Sequence, residues 1–148
     1  MVVDPKYWWA LAEDCWEVKG ALEERAETSR ACRQAYMDKC HGAVERQLKA
    51  ILAQQGRLED ADAHHNLVRL MMRCGLWERL PLANQVHLRG LANIHNLACY
   101  YDRSGMDRGW DTELGFATMK RTFEGLYEAL AKLKEEGHGE GKGGEDRL

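Results

Sequence analysis

The chain has 148 residues, 45% of them apolar, and 21 basic against 24 acidic side chains leave a formal charge of −3. That length suits one domain, and the apolar fraction argues for a packed core and against a disordered chain. The near-neutral balance excludes the global positive field of a general nucleic-acid binder, so any RNA contact has to rest on a local patch.

The first predicted helix starts at Asp4-Pro5, where Asp can cap free N–H groups and Pro fits the first helical position. Trp8, Leu11, Ala12, Cys15, Trp16 and Leu22 then recur at three- and four-residue steps as its apolar face. Tyr7 and Trp9 flank that face and, if exposed, make the kind of patch that homodimers cover. The helix ends near Glu27. A second helix runs from about Ser29 to Gln55, with Cys32, Tyr36, Cys40, Val44, Leu48, Ile51 and Leu52 as its buried stripe and Gly56 just past its end. Arg57 to Ala63 reads as a loop. Helix three covers about His64 to Cys74, with Gly75 as its stop, and the His64-His65 pair is expected to cap it. Helix four runs from Pro81 to about Tyr101, and Asp102 to Trp110 reads as a loop. Helix five spans about Thr112 to Glu136, with Leu114, Phe116, Met119, Phe123, Leu126, Tyr127, Leu130 and Leu133 on one face. Residues 137–148, glycine-rich and charged, bury too little apolar surface to offset their ordering entropy and are expected to be a disordered tail. The expectation is an all-α, five-helix up-and-down bundle over residues 1–136.

Five cysteines, an odd number with no CxxC pair, favour free thiols in a reducing compartment. No apolar run approaches the ~20 residues of a membrane span, and the N-terminus lacks the pattern of a signal peptide. Cytoplasmic location without membrane contact is therefore expected. Residues 66–110 carry six arginines (Arg69, Arg73, Arg79, Arg89, Arg103, Arg108) against three carboxylates (Glu78, Asp102, Asp107), a local balance of +3. Such a cluster is either ordinary surface charge or a phosphate-facing patch, since the guanidinium fork suits phosphate.

Three local patterns resemble one family. "AVERQLKAILAQQG" (residues 43–56) is similar to a helix of HEPN domains, which has an Ala-x-Glu-Lys/Arg core, a Lys-Ala-hydrophobic-Leu run and a terminating glycine. "HHNLVRLM" (64–71) resembles that family's His-x-Leu-x-x-Leu start to helix three. "YYDR" (100–103) stands near where many members carry Tyr-Arg-Tyr-Pro; here no proline follows Tyr101, and Cys99 stands where an arginine is expected. The resemblance implies a divergent helical bundle of the nucleotidyltransferase-associated, toxin–antitoxin type. It implies a homodimer, a small nucleotidyltransferase-like partner and, in some members, metal-independent endoribonuclease activity. Nuclease members place a histidine four to six residues after an arginine, and "RGLANIH" offers Arg89 and His95 as the matching catalytic pair. Active members usually follow the arginine with Asn, Asp or His; here Gly90 follows it.

Metal-free RNA cleavage needs a base for the 2′-OH, an acid for the leaving 5′-oxygen and a cation for the charged phosphorane. An imidazole at His95 suits the first or second task, and a guanidinium at Arg89 suits the third. Positions six apart on a helix differ by about 120° around the axis, so the two tips meet only through the reach of arginine or across a two-fold interface. Arg89, Asn93, Asn96 and Tyr100 step by four, three and four along one polar stripe and, with Arg103, form the candidate nucleotide- or RNA-binding surface. Three readings of that stripe remain: catalysis, binding without turnover, or a structural or partner-binding seam. His95 and Cys99 are helical neighbours, but nothing nearby completes a zinc set, so no metal site and no cofactor are expected. Cys40, beside His41, is expected to be a buried structural thiol.

Overall fold

In a computed structural model, which describes residues 1–91 and 113–136, the chain is an all-α bundle. Its α-helices are α1 (Pro5–Ala26), α2 (Arg30–Gln54), α3 (Leu67–Arg73), α4 (Leu82–Leu91) and α5 (Glu113–Glu136). There is no strand among the described residues. Short 3₁₀ turns at Asp60–Asp62 and Trp77–Arg79 flank α3. The predicted continuation of helix four to Tyr101, the loop over 102–110 and the tail over 137–148 lie outside the described residues.

The helix ends follow their local chemistry. The Asp4 carboxylate accepts from the Lys6 backbone N–H at 3.0 Å, with Pro5 opening α1. Ser29 caps α2, its hydroxyl accepting from the Cys32 N–H at 3.3 Å. Arg33 reaches back from α2 and donates to the Ala26 and Glu27 carbonyls, both at 3.3 Å, occupying acceptors that the end of α1 leaves open. Only Glu27, Thr28 and Ser29 separate the two helices, so α1 and α2 form a tight hairpin. At the far end of α2, Gly56 takes φ 66°. There the Gly56 N–H donates to Ala53 and the Arg57 N–H to Leu52, the pattern of a left-handed helix stop. Gly75 repeats it after α3 at φ 72°, with Gly75 donating to Met72 and Leu76 to Met71.

α2 is the axis of the bundle. From Cys40 to Leu52 every residue except Arg46 is buried, because α1, α3 and α5 all pack on it. α5 contributes Phe116, Phe123, Leu126 and Leu130 to the core, at steps of seven, three and four residues as an amphipathic helix requires. Two glutamines of α2 tie it to α5, Gln47 donating to the Tyr127 carbonyl at 3.0 Å and Gln54 to the Leu133 carbonyl at 3.2 Å.

The structure corrects the expected face of α1. Its fully buried positions are Trp9, Ala12, Lys19 and Ala26, whereas Trp8 and Trp16 are half-buried at the edge of the core and Tyr7 is exposed. Trp9 is therefore core and not a flanking residue; its indole donates to Gln54 of α2. Lys19 reads as polar in a sequence pattern, yet it is only 7% exposed. Its ammonium lies 3.9 Å from the centre of the Trp16 ring, and Trp16 in turn stacks on Tyr127.

α3 starts later than expected, at Leu67, because Asn66 rather than either histidine caps it, accepting from the Arg69 N–H at 3.1 Å. His64 acts one step earlier: its Nδ1 accepts from the Asn66 N–H at 3.1 Å. The stretch read as a loop holds a buried carboxylate, Asp62, paired with a partly exposed arginine of α3. Arg73 grips Asp62 through Nε at 2.9 Å and Nη2 at 3.1 Å, and Nη2 also donates to the Arg57 carbonyl at 2.8 Å. That bidentate grip fixes the 57–63 connection against α3 and holds the Asp62 carboxyl below the usual range.

Candidate functional site

Of the candidate catalytic and nucleotide- or RNA-binding residues, Arg89 alone falls among those described; His95, Asn93, Asn96, Tyr100 and Arg103 lie outside them. Arg89 is exposed near the end of α4. Its guanidinium carbon sits 5.2 Å from the centre of the Trp77 ring, and Trp77 itself is only 5% exposed. A planar cation over a fixed indole keeps its edge N–H groups directed outward. α4 is held from beneath: Leu88 is buried, Gln85 donates to the Trp77 and Leu80 carbonyls, and His87 Nδ1 is 3.1 Å from the Thr122 hydroxyl of α5.

A second polar centre, absent from the expectations drawn on the sequence, lies on α2. His41, Glu45 and Lys49 step by four along one face and are all buried. Glu45 is 4% exposed, with its Oε2 accepting from Lys49 Nζ at 3.0 Å and its Oε1 2.8 Å from His65 Nδ1. His41 Nδ1 stands 3.8 Å from the same oxygen. Burial opposes ionisation of Glu45, but Lys49, His65 and His41 outweigh it, and its carboxyl titrates below the usual range. His65 joins the cluster from the segment before α3, so the network ties that segment to the axis of the bundle.

Against this cluster opens a cleft of about 80 Å³, to which α1 contributes Cys15 and α2 contributes Asp38, Lys39, Gly42 and Arg46. Arg46 folds back along its own helix and donates to the Gly42 carbonyl at 3.0 Å. The bare Cα of Gly42 makes this possible, since a Cβ there would stand 2.7 Å from the guanidinium nitrogen and 3.6 Å from the Cys15 sulfur. The sequence signal for this centre is the His41, Glu45, Lys49 spacing together with a glycine in mid-helix. His65 comes from a distant segment and carries no such signal.

Two further thiols serve packing. Cys40 and Cys74 are buried and free. Burial pushes the Cys40 thiol well above its ordinary range and raises that of Cys74 to about 12, which makes poor nucleophiles of both. Among the described residues no helix is long and apolar enough to cross a membrane. Compared with known proteins, the chain matches no family model, no curated protein and no solved structure.

Proposed function

We propose that the chain is a HEPN-type helical module of the cytoplasm that pairs with a second copy of itself and with a small nucleotidyltransferase-like protein. In this reading it contacts RNA or nucleotide phosphate through Arg89, with His95 as the proton-transfer group of a metal-independent cleavage. The observation that carries it is the exposed Arg89 guanidinium seated on the Trp77 ring, a cation already desolvated on one face and free to meet phosphate on its edge. The all-helical bundle is compatible with it. The imidazole of His95 takes the 2′-OH proton or supplies one to the leaving oxygen, while Arg89 neutralises the phosphorane.

Gly90 favours a second reading, a non-catalytic nucleotide- or protein-binding module of the same fold, because active relatives of this type carry a polar residue there. Incubation of the purified protein with RNA in EDTA separates the two. Cleavage by the wild type that falls at least a hundredfold in both Arg89→Ala and His95→Ala supports the nuclease. A folded dimer that binds RNA but leaves it intact supports the binding module. A folded wild type that neither binds nor cleaves removes both.

A further inference from the structure

The imidazole of His87 is held in one tautomer by α5. Thr122, a buried residue, sets its hydroxyl 3.1 Å from the Thr118 carbonyl and 3.1 Å from His87 Nδ1. A hydroxyl has one proton to give, and a carbonyl can only accept. The hydroxyl proton therefore goes to Thr118, and the Thr122 oxygen accepts the proton carried by Nδ1; the reverse arrangement makes one hydrogen bond in place of two. The lone pair of neutral His87 is thus on Nε2. That nitrogen makes no hydrogen bond among the described residues and is not sealed from solvent. His64 is the opposite case, because its Nδ1 accepts the Asn66 N–H and its proton belongs on Nε2. An imidazole whose N–H is tied to an acceptor is more basic, and a better nucleophile, at its other nitrogen.

The α5 side of this seam suits an anionic group. Thr118, Arg121, Thr122 and Gly125 share one stripe of α5 at helical spacing. Arg121 is exposed and pairs with no carboxylate among the described residues, Glu124 and Glu128 of its own helix included. A Cβ on Gly125 would meet nothing within 4 Å, so the space one turn from Thr122 is open. α4 carries no carboxylate of its own. We propose that His87 Nε2 is a phosphoryl acceptor, with Arg121 as the cation that meets the incoming group. The Nε2 lone pair attacks the phosphorus of a phosphoryl donor. The bond from phosphorus to the leaving atom breaks, and its electron pair departs with that atom. The Nδ1 proton stays on the ring, where the Thr122 oxygen accepts it, and the guanidinium fork takes the transferred oxygens. His87 and Arg89 are two residues apart, about 200° around α4, so the site shares no residue with the Arg89 surface and does not depend on the function proposed for it.

Phosphoramidate, a small phosphoryl donor whose leaving group is ammonia, tests this at about pH 8, above the range in which imidazoles ordinarily carry charge. Phosphorus NMR distinguishes the two ring nitrogens, peptide mass mapping assigns the residue, and N-acetylhistidine is the reference. Nε2-phosphohistidine is expected on His87, formed about fivefold faster than on N-acetylhistidine, the worth of one hydrogen bond. Thr122→Val, which removes the hydroxyl and keeps the shape, should lose that advantage, and Thr122→Ser should restore it. Arg121→Gln should slow the transfer by a similar factor without changing the tautomer. Nitrogen-15 shifts of the wild-type imidazole should report Nδ1–H, and Thr122→Val should release it. Transfer to Nδ1 of His87, a rate no greater than that of N-acetylhistidine, an Nε2–H tautomer in the wild type, or an unchanged rate in Thr122→Val overturns the proposal.

Discussion

A carboxylate as buried as Glu45 stays ionised only when its neighbours replace the water it has lost. Lys49 and His65 do so at hydrogen-bond distance, and the His41 Nδ1 stands 3.8 Å away. Breaking such a pair from one side leaves a buried charge without compensation. Lys49→Met is therefore expected to destabilise the fold by about 3 kcal/mol, read by chemical denaturation. Adding Glu45→Leu should restore part of that loss, since a buried pair replaced by apolar groups of similar volume is often near neutral. A double variant less stable than Lys49→Met alone would remove the ion pair as the explanation. The pair itself was legible as a four-residue spacing in the sequence, but its burial was not. Burial depends on α1, α3 and α5 converging on α2, and no local pattern records that convergence.

At the scale of elements, four helix boundaries were readable because caps and stops are local, whereas the start of α3 was not. Asp4-Pro5, Ser29, Gly56 and Gly75 stand where the backbone uses them. The face of α1 was misplaced by about 40° of rotation, with Ala12 common to the expected and the observed face, because Trp9 and Lys19 occupy core positions. The Lys19 stem and ammonium are absorbed by Trp16 and Tyr36, an arrangement invisible to a pattern that scores lysine as outward. Glycine substitutions separate what each helix position demands. Gly20 lies exposed within α1, and a Cβ there meets nothing within 4 Å. Gly20→Ala is thus expected to stabilise the protein by up to about 1 kcal/mol. Gly56 holds the left-handed stop of α2, and Gly56→Ala should cost about 1–2 kcal/mol. Thermal unfolding of the two variants should shift in opposite directions, and shifts of the same sign would mean that the stop is not set at Gly56.

For the whole molecule, the perturbed groups give stability a dome-shaped dependence on pH. Burial, with Arg69 and Lys49 nearby, lowers the His64 pKa. As pH falls below about 6.5, the unfolded chain takes up a proton that the folded one resists, and stability drops. The sign fits the structure, because a protonated His64 cannot accept the Asn66 N–H that precedes α3. Glu45 and Asp62 act lower. Their folded pKa values lie below the ordinary ones, so their contribution is complete above about pH 4.3 and is lost as pH falls through the depressed values. On the alkaline side Cys40 and Cys74 resist ionisation, and stability is lost above about pH 8.5, where unfolded thiols ionise. Thermal unfolding measured from pH 3 to 10 should therefore peak between about 6.5 and 8.5 and fall in two acid steps. His64→Ala should erase the upper step and spare the lower. Arg73→Gln, which frees Asp62 from its bidentate grip, should shallow the lower step and spare the upper. An upper step that survives in His64→Ala would remove the contact between His64 and the Asn66 N–H as its cause.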